Sequence, residues 1–202
     1  MTMEPYSSPS DGFENWARDV SKKRDRDIAA VVTDLKRTAR FGVANFRKGG
    51  TAPTDATIGT TPTIPVLLFD ATNELITLTF IVPSDMNARV DFTLDLHFAL
   101  IQTETNGTTA DGTIDYISLD SDQGQLYTKT STQITASTTV TTAKGLATAT
   151  GYIMSFTIDA DDSNNPAALT NGEMIFEFHL TNVTGVNAIH ATGARINYTA
   201  QY

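Results

Sequence analysis

The segment Pro65–Leu100 restricts the fold more than any other part of this chain. In its last third, Phe92, Leu94, Leu96, Phe98 and Leu100 alternate with Asp91, Thr93, Asp95 and His97. A period of two puts those sets on opposite faces of a sheet. Upstream lie two more apolar runs, Pro65–Phe69 and Leu75–Val82, parted by Asp-Ala-Thr-Asn-Glu and followed by Pro-Ser-Asp-Met-Asn. Three apolar strands separated by two turns leave an oily face that a second sheet or a neighbouring subunit must cover.

The remainder of the C-terminal part repeats this grammar. Strands are expected at Thr113–Leu119 and at Thr148–Ile158, where Tyr152, Met154, Phe156 and Ile158 share a face. Another is expected at Glu173–Leu180, with Met174, Phe176, Phe178 and Leu180 set against Ile175, Glu177 and His179. A last one, Ala194–Tyr202, alternates Ile196, Tyr198 and Tyr202 with Arg195, Asn197 and Gln201. The Ser/Thr/Ala stretch Thr128–Thr142 has β-branched residues but few large apolar ones, so it reads as an edge strand or a loop. The prediction is a mainly β chain: an antiparallel β-sandwich or jelly roll of about eight strands.

Residues 1–65 follow a different pattern. A helix is expected from about Asp11, with Glu14 three residues on as in a capping box. Phe13, Trp16 and Val20 share one face, and Ile28, Val31, Val32, Leu35 and Ala39 continue at helical spacing. Gly42 and Gly49-Gly50 end the pattern. The apolar stripe is narrow, which fits either a helix lying on its own domain or an anchor docking on another protein. The candidate docking residues are Phe13, Trp16, Val20, Ile28, Val31, Leu35 and Phe46. Gly49–Pro65, rich in Thr, Pro and Gly, reads as an extended linker. The expected organisation is therefore 1–48 helical anchor, 49–65 linker and 66–202 β-sandwich.

Charge divides at the same place. Residues 1–48 carry ten Lys+Arg against seven Asp+Glu, and the rest carry four against sixteen, for an overall −9. An acidic body repels nucleic acid and anionic membranes, so neither is an expected partner. There is no cysteine, hence no thiolate nucleophile or disulfide, as in proteins made in a reducing cytosol. Catalytic motifs are missing: there is no Gly-x-Ser-x-Gly elbow and no phosphate loop. His97 and His179 could meet if their strands pair, with Asp95, Glu177 and His190 completing a zinc site, but no ligand-spacing motif supports this. Asp91, Asp95 and Glu177 lie on polar strand faces without any sign of the ~5–9 Å pairing that glycoside cleavage needs. Asp159–Asn165 is oxygen-rich, yet it lacks the glycine and terminal glutamate of a calcium hand. Neither a catalytic residue, a cofactor nor a metal is predicted. A sugar platform would have to use Tyr116, Tyr127, Tyr152, Tyr198 or Tyr202.

Four motifs together resemble small β proteins of tailed-phage virions. They are Pro65-Val-Leu-Leu-Phe-Asp-Ala-Thr-Asn-Glu74, Ile76-Thr-Leu-Thr-Phe-Ile-Val-Pro83, Val90-Asp-Phe-Thr-Leu-Asp-Leu-His97 and the closing Gly193-Ala-Arg-Ile-Asn-Tyr198. The resemblance spans Pro65–Tyr202 and leaves the N-terminal segment outside. It implies a non-enzymatic virion component made in the host cytoplasm, of the head-decoration, head-fibre or short tail-fibre kind. Its implied partners are itself, as a homotrimer, and capsid, portal or tail proteins. Burial at trimer contacts would explain strands that are apolar on more than one face, as at Leu75–Val82 and Ile175. The alternative is a carbohydrate-binding module at a fibre tip, recognising a host surface glycan.

Overall fold

The computed structural model describes residues 15–24, 35–71, 73–87, 89–100, 108–119, 131–140, 150–160, 172–182 and 188–201. A short helix, α1, covers 15–24. The strands are β1 (Leu35–Gly42), β2 (Phe46–Lys48), β3 (Thr54–Ile58), β4 (Ile64–Phe69), β5 (Leu75–Ile81) and β6 (Phe92–Leu100). They continue with β7 (Thr108–Leu119), β8 (Thr132–Val140), β9 (Thr150–Ile158), β10 (Glu173–Asn182) and β11 (Ile189–Ala200). A single 3-10 turn, Val43–Asn45, joins β1 to β2.

Every strand pairing is antiparallel. Sheet A runs β3-β4-β11-β6-β9, with β1 also alongside β11, and sheet B runs β2-β5-β10-β7-β8. Strand β11 has β6 on one side, while β4 and β1 share the other: β4 takes Ile189–Ala191 and β1 takes Gly193–Ala200. The inward-facing residues form one apolar layer between the sheets. Leu94, Leu96 and Phe98 from β6 and Ile196 from β11 meet Ile76, Leu78, Phe80, Ile114, Phe176 and Phe178 of sheet B. Phe156 stands edge-on to Phe178 across the layer, with ring centroids 5.7 Å apart. This is the sandwich that the alternating sequence demands.

The expected strands are all present, and Thr132–Val140 is indeed an edge strand of sheet B. Three more precede them. Residues 35–42 are not helical: β1 pairs in an eight-residue register with β11, from Leu35 opposite Ala200 to Gly42 opposite Gly193. Leu35 is thus a strand residue, not part of an anchor helix. Phe46 is buried in the core, edge-on to Phe178 at 6.4 Å, and so is not a free docking residue. The Thr/Pro-rich stretch is not simply a linker either. Its β3 pairs with β4 from Thr54 opposite Leu68 to Ile58 opposite Ile64. Ile58 closes a second small cluster with Val66 and Ala99. The physical reason is partner supply: β11 and β4 offer open edges, and unpaired backbone groups at an edge are costly to leave without partners.

Candidate functional site

The outer face of sheet A carries the most ordered polar array among the described residues. Its strands place Ser155, Asp95, Arg195 and Arg40 side by side in one row, from β9 through β6 and β11 to β1. The next row holds Thr157, Thr93, Asn197 and Thr38. Asp95 is the hub. Its carboxylate accepts hydrogen bonds from Ser155 Oγ at 2.6 Å, Arg195 Nε at 2.7 Å and Asn197 Nδ2 at 2.8 Å. Asn197 Nδ2 also donates to Thr93 Oγ1 at 3.1 Å. Although it lies on the outer face, the Asp95 side chain is only 5% exposed.

Burial by itself would push this carboxyl up. The bonds from Ser155, Arg195 and Asn197, with the Arg195 charge, outweigh it and hold Asp95 below its ordinary value of 3.8. A depressed folded value means that the stabilisation from Asp95 is complete above that ordinary value. It is lost as pH falls through the lower folded value. Asp95→Asn is therefore expected to cost about 1–3 kcal/mol at neutral pH, since a charged acceptor of three bonds is removed. Chemical denaturation at stepped pH should also show a smaller loss of stability below pH ~4 than in the wild type.

One row further along, His97 faces Gly193, which in turn faces Gly42. Two opposed positions without side chains leave a gap in the array. It forms a shallow depression of about 200 Å³ lined by Arg40, Phe41, His97, Thr192, Gly193, Ala194 and Arg195. That is below the ~300–1,000 Å³ of clefts that enclose a small molecule. Burial lowers the His97 pKa, and the Arg195 charge lowers it further. The imidazole is accordingly neutral at pH 7.

The charge here runs against that of the chain. Around Asp95 this face presents Lys36, Arg40 and Arg195 inside a protein of net charge −9, while the other carboxylate of the same parity, Asp91, stands beyond Thr93 just before β6. Arg40 and Arg195 are direct cross-strand partners. Like charges so placed sit ~4.5–5.5 Å apart at Cβ and are mutually destabilising. Asp95 engages Arg195 through Nε, and among the described residues no carboxylate pairs with Arg40.

The other predicted positions are dispersed. Asp95 and His97 point outward from sheet A, while Glu177 and His179 sit on the outer face of sheet B beside Asp115. With sheets packed ~10 Å apart, the proposed zinc set cannot form, and Asp95 and Glu177 cannot act as a glycosidase pair. His190 is buried on β11, opposite Leu68 and Ala99. Asp91 accepts a hydrogen bond from the Ala160 amide at 2.9 Å. Of the Asp159–Asn165 loop, residues 161–165 lie outside the described residues. Tyr116 and Tyr198 are buried, and Tyr152 stacks on Phe98 at 5.6 Å, so these three form no exposed sugar platform. Tyr127 and Tyr202 lie outside the described residues, as do Phe13, Ile28 and Val31. Trp16 and Val20, 62% and 46% exposed, sit one turn apart on α1.

No family model matches this sequence, and neither does any curated protein. Some solved structures are similar at low identity. The carbohydrate-binding module CBM6cm-2 of Cellvibrio mixtus lichenase 5A, in complex with cellotriose, is 12% identical over 80% of this chain and 97% of its own, with a TM-score of 0.43. The CBM35 module of Cellvibrio japonicus Abf62 is 16% identical over 82% and 99%, with a TM-score of 0.43. The xylan-binding module CBM15 is 8% identical over 84% and 99%, also at 0.43. At these values the likeness assigns neither a family nor a ligand.

Sequence patterning found Asp95 and His97 but missed Arg40 and Arg195. The Arg195–Asp95 contact joins residues 100 positions apart, and no local spacing announces it. The one available signal was that Arg195 and Asp95 both fall on polar faces of strongly alternating strands.

Proposed function

We propose that this chain is a non-catalytic recognition subunit whose sheet A face holds an anionic saccharide, as a receptor-binding module on a larger particle would. The observation that carries this is the Arg40–Arg195 pair: two arginines opposite each other across β1 and β11 both line the depression. Asp95 fixes one of them through Nε and leaves its terminal nitrogens available. A carboxylate or sulfate between them would relieve the repulsion and accept forked N–H donors. Thr38, Thr93, Ser155 and neutral His97 around it suit hydroxyl groups. The acidic body disfavours extended polyanions, which favours a single charged sugar over nucleic acid.

Binding and stability are expected to move in opposite directions at Arg40. Arg40→Ala removes an exposed side chain and a like-charge neighbour, so the thermal midpoint should hold or rise slightly. On a glycan array, wild-type hits should be confined to carboxylated or sulfated sugars and should vanish in the variant. A blank array from folded protein, or hits on neutral glycans that survive Arg40→Ala, would overturn the reading.

A second reading is a virion structural component that docks through α1 and self-associates. Exposed Trp16 and Val20 on α1 favour it, as does Ile81, 73% exposed on sheet B. Its homotrimer would show as a threefold mass in solution.

A further inference from the structure

We infer that the outer face of sheet B carries a site for a divalent transition-metal ion of the zinc class, built from Asp115, Glu177 and His179. It is independent of the saccharide reading and lies on the opposite side of the sandwich. Glu177 and His179 are two apart on β10 and therefore share a face. Asp115 on β7 is the direct cross-strand partner of Glu177. Two carboxylates are thus placed opposite each other, an arrangement that costs stability unless a cation joins them.

His179 provides the directional part of the argument. Its Nε2 lies 2.9 Å from Glu177 Oε1 and 3.3 Å from Asp115 Oδ2. The same atom is shut off from solvent and makes no hydrogen bond. A buried ring nitrogen flanked by two carboxylate oxygens, and hydrogen-bonded to neither, is placed as a metal ligand would be. Zinc binds nitrogen and carboxylate oxygen at about 2.0–2.2 Å, so tetrahedral ligands stand roughly 3.3 Å from one another. All three ligand atoms fall within 4.8 Å of one another, so small side-chain rotations close the set. Gln133 Nε2 approaches both Asp115 oxygens at 3.3 Å and is placed to hold that carboxylate as an outer-shell partner. Thr77 and then Arg47 continue the row beyond Glu177, so the nearest cation on that side stands two strands away. With three protein ligands, the fourth position is left for water or for an oxygen of a bound molecule.

The test is calorimetric titration of the full-length, chelator-treated protein with ZnCl2, paired with thermal unfolding. The wild type should bind one equivalent and gain thermal stability with it. Glu177→Gln and His179→Gln should each weaken binding by about 100-fold or more. Glu177→Gln should also leave the metal-free protein as stable as the wild type or more so, because a carboxylate repulsion is gone. Gln133→Ala should weaken binding about tenfold. The inference is overturned if the wild type takes up no zinc, or if uptake is unchanged in both Glu177→Gln and His179→Gln. A metal-free Glu177→Gln protein that is clearly less stable than the wild type would also overturn it. The cluster would then be a polar contact among Asp115, Glu177 and His179 that needs no ion.

Discussion

Removing residues 1–50 is expected to abolish cooperative unfolding, while removing residues 1–30 should leave it intact. The longer deletion takes away β1 and β2. Loss of β1 exposes the edge of β11 along eight residue pairs and removes Phe41, which packs edge-on against Phe80 at 6.2 Å, so that Phe80 is uncovered. Loss of β2 removes Phe46 from against Phe178 and opens the edge of β5. Deleting a buried phenylalanine alone costs about 3–5 kcal/mol, comparable with the ~5–15 kcal/mol by which a domain is stable. The shorter deletion stops before Leu35 and touches none of the described strands. Circular dichroism melts of the two truncations separate the outcomes. A sharp transition in the 51–202 fragment would mean that the first two strands are not integral to the sandwich. The 1–30 deletion is also the right variant for asking whether α1 docks on a larger assembly.

The second large effect is expected at a glycine. Gly193 has φ +155°, and a Cβ there would lie 2.6 Å from the Phe41 carbonyl oxygen, a backbone atom of β1. That atom can move only if β1 leaves β11. Gly193→Val should therefore cost about 2–4 kcal/mol, within the range of backbone strain combined with lost packing. Its partner in the register behaves oppositely. Gly42 has an ordinary φ of −83°, and a Cβ there meets nothing within 4 Å. Gly42→Val should stay within about 0.5 kcal/mol of the wild type. Urea midpoints of the two variants test the contrast, and equal costs would contradict the assigned register.

Much of the sandwich is legible in the sequence because burial of one sheet face writes a period of two into β5, β6, β9 and β10. The first strand escapes for a physical reason. Ile28, Val31, Leu35 and Ala39 satisfy a helical period, while Arg37, Ala39 and Phe41 satisfy a strand period over the same short segment. The availability of β11 as a partner decides between them, and nothing local encodes that availability. The candidate sites escape similarly. Asp95 and Glu177 are visible as polar residues on alternating strands, but their partners Arg195 and Asp115 become partners only through strand register. The cross-strand pairs Arg40–Arg195 and Asp115–Glu177 break the rule that opposite charges face each other. Such local violations of folding logic mark the places where function is to be sought.

The position of β11 carries a further consequence for biosynthesis. It follows the other ten described strands in sequence, yet it lies in the interior of sheet A, with β6 on one flank and β4 and β1 on the other. While the ribosome is still producing it, the three strands that will flank it wait with open hydrogen-bonding edges. Completion of this layer is therefore a late, long-range event, and nascent chains of this protein are exposed to mispairing with one another until it occurs.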